Sequence, residues 1–138
     1  MRAATLASRD EIHALLNTAQ AEILPVPKAE VTAAIVEGRC LWENGVAMIY
    51  RRNQDKSYYG VPLPVGAFQV MQLIARDKGT GAAREFMEAF FAQTKATVYL
   101  LVIADNHRAI KFYTKLGFVT KKTLTFKSFS SNLMVRYA

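Results

Sequence analysis

Thr97-Val-Tyr-Leu-Leu-Val-Ile-Ala104-Asp-Asn106-His-Arg-Ala109-Ile-Lys-Phe-Tyr113-Thr-Lys-Leu-Gly117-Phe118 is the stretch on which the fold turns. Its first part is almost continuously apolar, the pattern of a strand covered on both faces. Asp105-Asn106 interrupts the run. Ala109, Ile110, Tyr113 and Leu116 then recur at helical spacing until Gly117, which suits a C-cap. A buried strand running straight into an amphipathic helix points to an α/β domain.

Just upstream, Arg76-Asp77-Lys78-Gly79-Thr80-Gly81 separates a strand expected over 67–75 from a helix expected over about 82–94. That helix carries Ala83, Phe86, Met87, Phe90 and Phe91 on a broad apolar face. Backbone N–H groups in such a turn are unpaired, and the first-turn amides give the helix a partial positive end. Glycines at 79 and 81 permit close approach and unusual φ/ψ. The result is a cradle for a diphosphate, although a turn that merely reverses the chain would use the same glycines. The P-loop pattern is absent, and the dinucleotide fingerprint fails at Arg84, where it needs glycine.

Taken together, the two segments resemble the GCN5-related N-acetyltransferase (GNAT) superfamily. Arg76-x-x-Gly79-x-Gly81 is similar to its acyl-CoA pyrophosphate loop, and Asn106-x-x-Ala109-x-x-x-Tyr113-x-x-x-Gly117-Phe118 is similar to its later motif. They stand in the family's order, one helix and one strand apart, over about residues 67–118.

The resemblance implies two strands that splay at their C-terminal ends to admit acetyl-CoA. The pantetheine arm would pair with the first strand near Met71, Gln72 and Leu73, as an added strand does. The pyrophosphate would rest on Arg76, Lys78, Gly79, Thr80, Gly81 and Ala82. Asn106 would contact the pantetheine, and Tyr113 would face the thioester sulfur. A phenol of pKa about 10 is protonated at neutral pH and can donate to a departing thiolate, whose thiol has pKa near 8.5. Tyr113 follows Asn106 by about two helical turns, so both share a face; the same tyrosine would equally fit an apolar stripe with Ile110 and Leu116.

The expected reaction is direct attack of an amine on the acyl carbonyl, with a backbone N–H near Met71 to Leu73 for the oxyanion. Many family members place a glutamate on the strand before the loop. Here that strand carries Gln69 and Gln72, so the base is unassigned, with Glu43 a candidate. Cys40, the only cysteine, lies outside both motifs and reads as a small buried apolar residue. The site needs no metal, and two distant histidines argue against a zinc centre.

The flanks agree with one mixed sheet. Ser8 and Glu11 suggest a capping box for a first helix bearing Ile12, Leu15, Leu16 and Ala19. Leu24-Pro25-Val26-Pro27 breaks it, and Val31, Ala34 and Ile35 form a short second helix closed by Gly38. Strands over 40–43 and 46–50 flank Asn44-Gly45, a type I′ hairpin turn. Residues 51–65 read as a long loop, and strands at about 119–127 and 133–137 close the chain. The expected order is α-α-β-β-β-α-β-α-β-β, in a single domain over 1–138. The unit at 67–104 should be a right-handed parallel crossover.

Composition bounds the rest. The chain has 138 residues, 51% hydrophobic and 21% charged, which suits one domain with a buried core. Its longest apolar run falls far short of the roughly 20 residues that cross a bilayer. The mixed, charged N-terminus does not read as a signal peptide, so a cytoplasmic setting without membrane attachment is expected. The net charge of +7 lies entirely in residues 65–138, with eleven Lys/Arg against four acids; residues 1–64 balance at seven each. That asymmetry suggests an anionic partner. Lys78, Arg84, Arg108, Lys111 and Lys115 lie on elements near the expected cofactor.

Acceptor specificity is expected from the segment around Pro25, the 51–65 loop and the turn at Ser128 to Asn132. Tyr58, Tyr59, Phe126 and Phe129 could wall an acceptor pocket. Arg51, Arg52, Lys56, Lys121, Lys122 and Lys127 could attract an acidic peptide or RNA. The acceptor is left open among a small amine, a peptide amine and aminoacyl-tRNA, and a homodimer is a further possibility. The alternative is an inactive basic module of the same fold that binds nucleic acid or an acidic protein.

Overall fold

The computed structural model describes residues 1–18 and 25–138. Ala19 and Leu24, invoked above for the first helix and its break, lie outside the described residues. The chain gathers into two compact units. One comprises Met1–Tyr50 and Met71–Phe90, the other Arg51–Val70 and Phe91–Ala138.

In the first unit, a 3-10 turn at Leu6–Ser8 leads into α1 (Arg9–Thr18), followed by α2 (Lys28–Val36), β1 (Cys40–Glu43), the start of β2 (Val46–Arg52), the end of β5 (Phe68–Ala75) and most of α3 (Ala82–Thr94). The expected capping box is not formed. Ser8 sits inside the 3-10 turn with its amide on Thr5 O at 3.0 Å, and a residue already in helical geometry cannot take the extended conformation of an N-cap. Ile12 and Leu16 on α1 pack with Val31, Ala34 and Ile35 of α2 against Cys40, Ala47 and Ile49, so the two short helices are held by their shared core. The Asn44-Gly45 turn has φ of 52° and 73°, as a type I′ hairpin requires.

In the second unit, β3 (Ser57–Tyr58) and β4 (Val61–Pro62) pair antiparallel. The expected 51–65 loop is therefore corrected: β2 runs on to Arg52, and a small hairpin stands inside the segment. Its turn is Tyr59-Gly60, with φ of 48° and 80°. Tyrosine rarely adopts the left-handed region, which is why no turn signal stood out there. Val61, Leu63, Ala67, Tyr99, Leu133 and Val135 form the core beneath it.

β6 (Val98–Ile103), α4 (His107–Lys115), β7 (Val119–Thr125) and β8 (Ser130–Arg136) complete the chain. β8 begins earlier than expected. It pairs antiparallel with β6 from Val98↔Arg136 to Ile103↔Ser131, and with β7 on its other side. Leu133, Met134 and Val135 are all fully buried, so β8 takes the interior place and the lysine-bearing β7 the edge. The six-stranded sheet has the order β1-β2-β5-β6-β8-β7 and is mixed. β5 and β6 run parallel, as expected for the crossover, with the register Phe68↔Val98 and Gln69↔Tyr99. Among the described residues no helix is long and apolar enough to cross a membrane.

Candidate active site

The glycine loop is built as a strand-to-helix turn in the first unit. Gly79 and Gly81 have φ of 77° and 82°, a region that costs other residues roughly 1–2 kcal/mol each. An added Cβ at either would meet nothing within 4 Å. The glycines therefore serve backbone conformation and an open approach, not tight internal packing. Thr80 Oγ1 donates to Asp77 O at 3.2 Å and accepts from Ala82 N at 3.3 Å, which braces the turn as α3 begins. The backbone N–H groups of Lys78, Gly79, Thr80 and Gly81 find no acceptor among the described residues. Exposed donors in a row at a helix start are what an anion would use.

Arg76 is committed elsewhere. Its N–H donates to Gly45 O at 2.7 Å, and its guanidinium lies 3.7 Å from Glu11 and 3.6 Å from Asp77. An added Cβ at Gly45 would approach its Nη2 to 3.1 Å. The side chain thus staples the loop to the β1–β2 turn and to α1. Arg84 pairs with Glu88 along α3 at 3.1 Å. Lys78, Arg108, Lys111 and Lys115 are exposed and make no ion pair among the described residues. On β5, Met71 is exposed and Gln72 and Leu73 are half-buried; all three lie beyond the two residues in register with β6.

In the second unit, Asn106 is the N-cap of α4. Its Oδ1 accepts from Ala109 N at 3.1 Å. This satisfies one orphan amide of the first turn and leaves the Nδ2 donors without a partner among the described residues. Asn106→Ala is expected to cost about 1 kcal/mol of stability in chemical denaturation, and Asn106→Asp much less, since aspartate caps equally well.

Tyr113 is partly buried, with its ring edge-to-face against Phe112 and Phe118 at 5.2 and 5.4 Å. Burial pushes its phenol well above the ordinary value of 10.0. The hydroxyl has no hydrogen-bond partner among the described residues. The chain of contacts behind it was not visible in sequence. Phe118 packs on Phe91 at 5.8 Å, and the Arg136 guanidinium covers Phe91 at 3.9 Å while its Nε donates to Leu116 O at 3.1 Å. Arg136 thereby holds the C-terminal end of α4 with charge of the favourable sign. Only its position in space reveals this, because it is 20 residues from Leu116.

Gln69 is buried, its Oε1 accepting from Arg51 Nε at 2.7 Å and its Nε2 donating to the Tyr58 hydroxyl at 3.3 Å. Glu43 is half-buried on β1 opposite Val46. Cys40 is fully buried, and desolvation pushes its thiol up to about 11. Iodoacetamide at pH 8 is therefore expected to label the native protein slowly and the unfolded chain rapidly; fast native labelling would show that the thiol is not buried. Among the described residues no group of three or more His, Cys, Asp or Glu is placed to hold a metal ion.

No family model and no curated protein matches the chain. Solved structures do. A GNAT-family acetyltransferase from Streptococcus agalactiae superposes with a TM-score of 0.82 at 15% identity, covering 99% of this chain and 94% of that one. Arabidopsis thaliana NAA60, solved in complex with acetyl-CoA, gives 0.73 at 15% identity, covering 99% and 98%. An N-acetyltransferase from Staphylococcus aureus gives 0.69 at 18% identity, covering 97% and 98%. The fold of this chain is that of the GNAT acetyltransferases.

Proposed function

We propose that the chain, as one domain over 1–138, is an acetyl-CoA-dependent N-acetyltransferase that acts on a primary amine. The observation that carries this reading is the run of unpartnered amides from Lys78 to Gly81 at the start of α3. A diphosphate placed there accepts several charge-assisted hydrogen bonds at once. The β5 edge beyond Gln69, including Met71 to Leu73, offers backbone groups for the pantetheine amides. Asn106 Nδ2 donates to a pantetheine carbonyl while Oδ1 stays on the helix cap.

In the reaction the amine nitrogen attacks the acyl carbon, a β5 N–H steadies the oxyanion, and the C–S bond breaks. The departing thiolate takes the Tyr113 proton, and solvent restores it. Gln69 and Gln72 cannot accept the proton released by the amine; it passes to water or to Glu43. Acetyl-CoA, CoA and tRNA are compared by thermal shift, with a screen of amines, peptides and aminoacyl-tRNA for acetyl-CoA-dependent thiol release. Stabilisation by acetyl-CoA and thiol release are expected. A shift with tRNA alone, lost at modest salt, would favour the inactive basic module instead.

A further inference from the structure

The Tyr99 hydroxyl is the only buried side-chain nitrogen or oxygen without a hydrogen-bond partner among the described residues. Such groups are rare in folded proteins and call for an explanation. Tyr99 stands on β6 beside Gln69 on β5, with the Tyr58 ring 5.0 Å from its own. Arg51 donates to Gln69 Oε1, and Gln69 Nε2 donates to the Tyr58 oxygen. Every bond in this chain runs outward from the guanidinium, so the Tyr58 O–H is left to donate. Desolvation raises the Tyr99 phenol, with Arg51 acting the other way, so it too is a donor at neutral pH. The O–H groups of Tyr58 and Tyr99 and the remaining Arg51 N–H groups are therefore left to donate, and no carboxylate pairs with Arg51 among the described residues.

We propose that Arg51, Tyr58 and Tyr99 form a carboxylate-binding site, and that the amine acceptor is one that carries a carboxylate. The assignment of an amine rests on the acetyltransferase reading; the anion site does not. A carboxylate oxygen reaching the cluster moves the exposed Arg51 or the half-buried Tyr58 aside and accepts from Tyr99 beneath. A bidentate guanidinium pair and two phenol donors match its lone pairs. The surroundings favour an anion. Lys56 is exposed, and Lys122 Nζ donates to Tyr59 O at 2.9 Å. Among the described groups acting on Tyr99, Asp55 is the one acid, pushing its pKa up, and its effect is the smallest of them.

The test titrates the full chain, by calorimetry, with a tripeptide beginning in glutamate and with the same tripeptide beginning in glutamine. Free glutamate and free glutamine form a parallel arm that separates a small acceptor from a peptide. In at least one arm the acid is expected to bind about tenfold tighter than its amide. Arg51→Met should abolish the preference and Tyr99→Phe should reduce it about fivefold, each leaving the amide's affinity unchanged. Equal affinities for acid and amide, no binding of either at millimolar concentration, or a preference that survives both variants would overturn the site. Acetyl-CoA binding is measured on the same samples. Its loss alone strikes the transferase reading, whereas intact acetyl-CoA binding without discrimination strikes only this site.

Discussion

Replacing Tyr113 with Phe is expected to lower kcat about 10²-fold, at the low end of the general-acid range, while the Kd for acetyl-CoA changes less than about twofold. The separation of the two effects is the diagnostic part. The hydroxyl has no hydrogen-bond partner among the described residues, and the ring is held by Phe112 and Phe118 through faces that phenylalanine would keep. Removing the oxygen therefore leaves the packing intact and takes away only a proton donor. Stopped-flow or steady-state thiol release, set beside calorimetry with acetyl-CoA, measures both quantities. Unchanged turnover would take Tyr113 out of the mechanism.

The pH dependence has a definite sign. Because burial holds the folded phenol above 10.0, Tyr113 stays protonated from pH 7 through pH 10 and causes no fall in kcat there. Above pH 10 the unfolded chain releases a proton that the folded chain retains. Stability from this group is thus complete below the ordinary value and declines as pH rises through the folded one. Tyr113→Phe should flatten that alkaline decline in denaturation midpoints.

The second large effect is expected at the loop. The double substitution Gly79→Val, Gly81→Val should weaken acetyl-CoA binding by at least about 10²-fold, since losing two charge-assisted hydrogen bonds at about 1.5–3 kcal/mol each exceeds that factor. A Cβ at either position meets no atom within 4 Å. The cost to stability comes chiefly from the left-handed backbone, at least about 1–2 kcal/mol per site for a β-branched residue. A variant that remains folded by circular dichroism and still binds acetyl-CoA as tightly as the parent would show that these amides do not hold the diphosphate.

Local chemistry is written plainly in this chain. Gly79 and Gly81 announce a turn with positive φ, Asn44-Gly45 a type I′ hairpin, and the run from Val98 to Ile103 a strand that buries Val98, Leu100 and Val102 on one face and Tyr99 on the other. Asn106 and Gly117 mark the two ends of α4. Each depends on residues within one or two turns of one another, where spacing and backbone preference decide the outcome. The same locality explains the errors. Tyr59 forms a turn in a conformation tyrosine seldom takes, and Ser8 is absorbed into a 3-10 turn because the core seats α1 through Ile12 and Leu16.

Tertiary structure alone placed β8 between β6 and β7, set Arg136 on Phe91 and Leu116, turned the Arg76 cation toward Glu11, and gathered Arg51, Tyr58, Gln69 and Tyr99 into one cluster. Those partners are far apart along the chain. Their meeting is decided by which apolar faces bury together and which polar atoms are then forced to find partners, and no local pattern carries that information.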